Sequence, residues 1–349
     1  MLATWPIAID KYLHEKFLVI FIKYLLFIFL ISKIIITKKQ FEYLIWAFLL
    51  GQFYISWVAH SMGRTGQARL EDLAGSDTQD ANSAAALVAT AIPILINYLI
   101  VGKKWQKCCS LIIMVFVFNA LVLINSRGAF LGIIVASLYY FGFSLLSPSF
   151  ANFKKYKIII VLAVGIAGFF YMADQLFWER MATVINPAEE GYTGRERTFF
   201  WLTTFDMVRD HPFGAGAFGY QALSPLYLPL ESLSSTQTRA VHSMYFQVLA
   251  EYGYHGFAIF MVFLFSIFKF SRRTKKNLIR AGAHELYYTS IALEASLLVL
   301  IISGIFISIL YVEALYWLAA FIGAYNNICS NSTKLINESV QTKEVEQLA

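Results

Sequence analysis

The sequence predicts an all-α polytopic membrane protein, and three observations predict it. Of its 349 residues, 58% are hydrophobic and 14% charged, with a mean hydropathy of +0.60, well to the apolar side of an ordinary soluble domain. Mostly apolar runs of roughly 17–25 residues, the length a helix needs to cross ~30 Å of hydrocarbon, recur along the whole chain. Basic residues gather in every second connection between those runs.

Taken in order, about nine runs are expected to span, near 17–36, 41–59, 82–101, 108–125, 129–146, 157–172, 243–270, 285–305 and 308–328. The first carries Lys23 and Lys33, whose amines can snorkel towards the helix ends. Lysine and arginine are held on the cytoplasmic side. That assigns Lys38/Lys39, Lys103/Lys104/Lys107, Lys154/Lys155/Lys157 and the 272–280 cluster to the cytoplasm. The connections near 60–81, 126–128, 173–241 and 307–312 then face outward. Nine spans with an inward C-terminus place Met1 outside, so the chain is expected to lack N-terminal helices that a longer relative would have. The chain divides into helices one to six over 1–172, a periplasmic loop over 173–241, helices seven to nine over 242–328, and a polar, loosely ordered cytoplasmic tail over 329–349.

The net charge of +6 follows from this asymmetry. No basic stripe interleaved with aromatics points to nucleic acid. Cys108, Cys109 and Cys329 lie near cytoplasmic helix ends, where disulfides are not expected, and with the six histidines they fit no zinc spacing. No metal or cofactor is expected.

A loop of about 70 residues between short-looped helices is far longer than a connection needs, which makes it the first place to look for function. Its basic residues are all arginine: Arg180, Arg195, Arg197, Arg209 and Arg239. A guanidinium grips phosphate with two parallel bonds, where an ammonium acts as a point charge. Arg180, Arg209 and Arg239 are expected to pair with the loop's own acids, which leaves the pair in "GRERTFFW" as the better anion ligands.

Another arginine, Arg127 in "LINSRGAFLG", sits in a very short outward connection between two apolar helices. A charge so tightly framed is kept for an interface, a partner or a ligand. His242 returns the chain to the membrane on the same side, where an imidazole can titrate near neutral pH. If it caps the entering helix, it lies at the water boundary. Glu251 is nine residues on, two and a half turns at ~3.6 residues per turn, so the two side chains face apart unless the helix breaks. Gly253 and Gly256 invite such a break. Glu251 is therefore expected to support the site without touching His242 directly.

Four stretches, "DANSAAALVATAIPIL" (80–95), "NSRGAFLG" (125–132), "GRERTFFWLTTFDMVRDHPFGAGAFGY" (194–220) and "HSMYFQVLAEYGYHGF" (242–257), occur in the order and spacing of a known family. In them the chain resembles the O-antigen ligase and polymerase superfamily, and most closely the exosortase-associated O-glycosylation ligases. The resemblance runs from about 72 to 270 and implies a GT-C-like ligase architecture in a bacterial inner membrane, its site facing the periplasm. It puts the donor's phosphate on Arg127 and on Arg197, four residues before Trp201. The family's glycine falls before Arg195 in this chain, so Arg195 shares the candidacy. His242 takes the catalytic position, and Asn82 either lines the donor cavity or caps the 82–101 helix.

The activity implied is metal-independent, inverting glycosyl transfer from a polyprenyl-pyrophosphate-linked glycan, undecaprenyl by expectation, to an acceptor hydroxyl on protein, lipid or glycan. The lipid bilayer is the other expected partner. A polysaccharide polymerase shares this chemistry and differs only in its acceptor. The alternative class is a transporter or flippase-like carrier, suggested by Lys23, Lys33, Glu294 and Glu313 in or near spans; no paired broken helices or repeat symmetry support it. The transferase requires Arg127, Arg197 and His242 to converge on one cavity at the outer edge of the bilayer.

Overall fold

The structure is a computed structural model that describes residues 1–64, 69–71, 73, 80–146, 155–185, 193–234 and 236–348. Among them there are thirteen α-helices and no strand: α1 (Lys11–Ile34), α2 (Lys38–Met62), α3 (Ala81–Ala89), α4 (Ala91–Val101), α5 (Lys104–Ile124), α6 (Arg127–Leu146), α7 (Lys155–Met172), α8 (Gln175–Ile185), α9 (Thr193–Asp210), α10 (Gly219–Tyr227), α11 (Met244–Arg280), α12 (His284–Ser303) and α13 (Glu313–Leu348).

Local chemistry sets several boundaries. Thr37 and Gln40 form a capping box that starts α2. Asp80 caps α3 by accepting from the backbone of Asn82 at 2.7 Å and of Ser83 at 3.0 Å. At the end of α5, Asn125 takes a left-handed conformation (φ 56°), a C-terminal role that asparagine tolerates better than most residues, and the chain reverses at once into α6. The Asn125 amide also donates to the Leu176 carbonyl at 3.2 Å, which ties α8 to this corner.

Seven helices are long and apolar enough to cross a membrane: α1, α2, α3–α4 taken together, α5, α6, α11 and α12. An eighth span results if α7 and α8, bent by 101° at their junction, count as one. The predicted ninth, 308–328, falls on α13, which starts at Glu313 and is less apolar than expected. Burial explains this. Ala314, Leu315, Tyr316, Leu318, Ala320 and Phe321 are all enclosed by protein, so this helix need not present a lipid-compatible surface. Helix α13 continues to Leu348.

Helices α12, α3 and α4 form the buried centre, with α6 along one side of α12 and α13 along another. Helix α1 packs on α13, and α2 packs on α5 and α13. The region predicted as a loop over 173–241 is largely helical, carrying α8, α9 and α10. It lies at the end of the bundle, here called the site end, that also holds the start of α1: the backbone of Ile9 donates to Ala215 at 3.0 Å, and that of Ala217 to His14 Nδ1 at 2.9 Å.

The most consequential backbone feature is in α11. Gly253 has φ 63° and ψ −168°, which breaks the helix between its first turns and its long span. Carbonyls freed by the break do not go unpaired. The turn between α9 and α10 reaches in, with Ala215 donating to the Ala250 carbonyl at 3.0 Å and Gly216 to that of Glu251 at 2.9 Å. The Pro212 carbonyl accepts from Tyr254 in return, at 3.3 Å. Of the two glycines whose spacing invited a break, Gly253 makes it.

Candidate functional site

Four chain segments bring arginine to the site end. Arg127 is the first residue of α6, and Arg197 lies in the second turn of α9. Burial lowers the Arg197 pKa most, and the like charges of Arg127, Arg180 and Arg69 lower it further, with Asp80 acting in the opposite sense. The four guanidiniums therefore share one electrostatic neighbourhood, a disposition suited to an anion carrying more than one charge. Arg69 also bonds Glu71 at 2.7 Å and the Asn82 side-chain oxygen at 3.3 Å.

Asn82 is thus one helical residue inside α3 and holds an arginine; the cap is Asp80 and not Asn82, a correction to one of its two expected roles. The side chain of Arg195 lies outside the described residues. Arg209 pairs with Asp206 at 3.1 Å and Arg239 with Glu196 at 3.2 Å, as expected of loop arginines meeting loop acids.

His242 does not cap α11, which begins at Met244 with Ser243 before it. It stands just ahead in a left-handed conformation (φ 50°), uncommon for a residue with a side chain and held there by its neighbours. The Val241 carbonyl accepts from the Trp201 indole at 3.2 Å, and the Met244 amide donates to Gly304 at 2.7 Å. Two residues upstream of Val241, Arg239 lies 5.2 Å from the centre of the Phe200 ring. Burial, then the charges of Arg197 and Arg239, push the His242 pKa down to about 4, against a weaker upward pull from Asp80. The imidazole is consequently neutral at physiological pH, with one ring nitrogen available to accept a hydrogen bond.

His242 lines a cavity of about 920 Å³ that runs from the site end into the bundle between α1, α2, α3, α11 and α13. Asp80, Ser83, Gln247 and Glu251 are in its wall, and further down Phe27, Phe48 and Phe321 make it apolar. Arg127 and Arg197 do not line it. The expected convergence of Arg127, Arg197 and His242 on one cavity is corrected here: His242 borders the cavity, whereas Arg197 lies outside its lining and bears on Arg127 and His242 through charge.

Glu251 is buried in the wall, where it accepts from the Tyr311 hydroxyl and, at 3.2 Å, from the Gln247 amide. Tyr252 and Tyr311 are joined hydroxyl to hydroxyl at 2.6 Å. With Tyr311's proton directed to Glu251, Tyr252 is the donor to Tyr311. Glu251 and His242 both line the cavity.

The remaining charged groups of the spans divide. Glu294 is fully buried and bonds Lys275 at 2.5 Å and the Tyr139 hydroxyl, joining α12, α11 and α6 away from the cavity. Lys23 and Glu313 line the cavity, whereas the Lys33 amine lies 5.8 Å from the Phe29 ring centre.

Sequence reasoning did not single out Asp80, Arg69 or the cavity's amides. The available signals were an acidic residue three before Ser83 at a helix start, and Gln52 alone in an apolar run.

The helices and this site define a multi-pass membrane protein with an anion-suited arginine group beside a neutral histidine. Residues 109–261, from α5 to the first half of α11, match the family model Wzy_C, O-antigen ligase, and so take in Arg127, Arg197 and His242. The likeness covers that segment of the chain and supports a relation to the O-antigen ligase superfamily. No curated protein is similar enough to the chain to count as a match.

Proposed function

We propose that the protein is a metal-independent, inverting glycosyltransferase that moves a glycan from a polyprenyl-pyrophosphate carrier to an acceptor hydroxyl. The observation that carries this is that the matched segment brings Arg197, within the electrostatic reach of Arg127 and Arg180, to a histidine held neutral where it borders a cavity. A pyrophosphate carries the multiple charge that several neighbouring arginines attract, with oxygens spaced for guanidinium forks. The site end faces the periplasm of a bacterial inner membrane, with the basic connections on the cytoplasmic side.

In the reaction the acceptor oxygen attacks the anomeric carbon from the face opposite the phosphate. The new carbon–oxygen bond forms as the bond to the phosphate oxygen breaks, and the leaving polyprenyl pyrophosphate keeps the electron pair. Arg127 and Arg197 hold that growing charge. His242 orients the hydroxyl and receives its proton. Bound pyrophosphate offsets the charge of Arg197, which makes the imidazole a stronger base once the donor is in place.

The acceptor is a hydroxyl of protein, lipid or glycan, protein O-glycosylation being the exosortase-associated form. The test is transfer in lipid nanodiscs from a polyprenyl-pyrophosphate glycan, with released polyprenyl pyrophosphate and acceptor-bound glycan both measured. His242→Ala is expected to reduce transfer roughly 10²- to 10⁴-fold with donor binding intact, and Arg197→Ala to weaken donor binding. Wild-type transfer by His242→Ala removes the histidine from the mechanism. Movement of a solute with no new covalent bond would establish the carrier class instead.

A further inference from the structure

Below His242, the cavity wall carries polar atoms that the chain leaves unmatched. The amide oxygens of Gln52 on α2 and Gln247 on α11, and the hydroxyl of Ser308 between α12 and α13, are buried without a hydrogen-bond partner among the described residues. All three residues line the cavity. Gln52 is 2% exposed and Gln247 7%. Buried polar atoms in folded proteins are nearly always paired, so three from three chain segments in one chamber point to a ligand that pairs them.

Glu251, 2% exposed, stands beside them. It takes bonds from Tyr311, Gln247 and the Phe218 backbone amide, and a carboxylate has about four lone-pair positions. Capacity remains for a further donor. Helical rise puts Glu251 roughly 10 Å deeper than the start of α11, so the chamber is polar at a depth where lipid would demand apolar walls.

Charge decides what kind of polar ligand fits. No arginine lines the chamber, whose charged wall residues are Asp80, Glu251 and Glu313 with Lys23 as the one cation among the described lining, a balance that disfavours a multiply charged phosphate there. Ring faces are also available: Phe218 and Tyr311 lie parallel within 5°, centroids 5.8 Å apart, and both border the cavity. Hydroxyl-matching amides and a carboxylate, aromatic faces and no arginine suit a neutral polyol with a C–H face.

We propose that the chamber formed by Gln52, Gln247, Glu251 and Ser308 is a saccharide-binding subsite beneath His242. This rests on the glycosyltransferase assignment and deepens it: a sugar ring, of the acceptor or of the donor's first residue, occupies the chamber during transfer. A lone serine or threonine of a protein acceptor would leave its amides unpaired.

The experiment uses the full-length protein, in cells deleted for its gene and supplied with variants, so that the cell's own lipid-linked glycan and acceptor are the probes. Gln52→Leu and Gln247→Leu remove an unmatched buried polar group for an apolar one of similar size. If the group serves a ligand, the purified variant melts at or above the wild-type temperature, because no internal bond of the orphaned oxygen is lost. Transfer falls roughly tenfold or more. Gln52→Leu is the cleaner variant, since Gln247 also bonds Glu251.

Polyprenyl-pyrophosphate glycan co-purifying at the wild-type level assigns the subsite to the acceptor's sugar, and a reduced level assigns it to the donor's; both support it. Transfer within about twofold of wild type, or transfer and melting temperature falling together in both variants, overturns it. If the wild-type gene itself restores no glycan transfer, the glycosyltransferase assignment fails first, and the subsite falls with it.

Discussion

Replacing Gly253 with alanine tests the helix break just beyond Glu251. An added Cβ would stand 2.2 Å from the Pro212 carbonyl oxygen and 2.7 Å from the Phe213 carbonyl carbon, so backbone has to move. The positive φ itself costs a residue with a side chain about 1–3 kcal/mol. Movement of the 212–216 turn also puts at risk the bonds from Ala215 to Ala250 and from Gly216 to Glu251, each worth about 0.5–1.5 kcal/mol. The expected loss is roughly 2–6 kcal/mol, measured by denaturant unfolding in micelles. Gly142→Ala, in α6, is the comparison, because its Cβ meets nothing within 4 Å. A helical glycine-to-alanine change with no clash is expected to gain up to about 1 kcal/mol. Should Gly253→Ala unfold at the same denaturant concentration as Gly142→Ala, the interlock of α11 with the turn is not what holds this region.

Further outcomes follow from the charges. His242 has its pKa lowered to about 4 against an ordinary 6.5, so acid protonates the unfolded chain first. Its contribution to stability is complete above pH 6.5 and is lost as pH falls towards 4, and the acid limb of kcat/KM is expected nearer 4 than 6.5. A limb at 6.5 in a pH-rate profile would refute the assignment. Arg239→Gln removes one of the two cations that depress the imidazole and should move that limb upward, which the same profile checks. Lys275→Met strands the Glu294 carboxylate and is expected to cost about 3–5 kcal/mol in micelle unfolding, whereas Lys275→Met with Glu294→Gln should recover most of it. Arg197→Lys keeps the charge but loses the fork, and should raise the donor KM with little change in melting temperature.

The long apolar runs were legible from the sequence because lipid imposes one rule on every exposed face: 41–59 and 82–101 fall within helices α2 and α3–α4. The rule weakens where protein replaces lipid. Helix α13 is walled in, so its tyrosines and Asn326 leave it less apolar than the span expected over 308–328, and its start fell at Glu313, several residues past the expected edge. The helices of 173–241 were hidden for a different cause. Helix α9 owes its place to Phe200 and Trp201 packing against the 241–246 corner, a contact between residues some 40 apart that no local period records.

At the site, residue type announced the chemistry and distance in sequence concealed the geometry. Arginine in a short turn, the arginine pair of "GRERTFFW" in a lysine-free loop and histidine at a membrane return each run against what that setting ordinarily holds, and it was the family resemblance that chose Arg197 of the pair. Their neighbours were not identifiable in this way. Asp80 affects both Arg197 and His242, yet an aspartate before an apolar helix reads first as a cap, which it also is. His242 stands ahead of α11 in a left-handed conformation, so helical phase does not fix its direction relative to Glu251, and the two border one cavity although the break at Gly253 lies beyond both. The cavity wall carries Asp80, Glu251 and Glu313 with Lys23, while Arg127 and Arg197 lie outside it, so His242 is the wall residue on which the charges of Arg197 and Asp80 act in opposite senses.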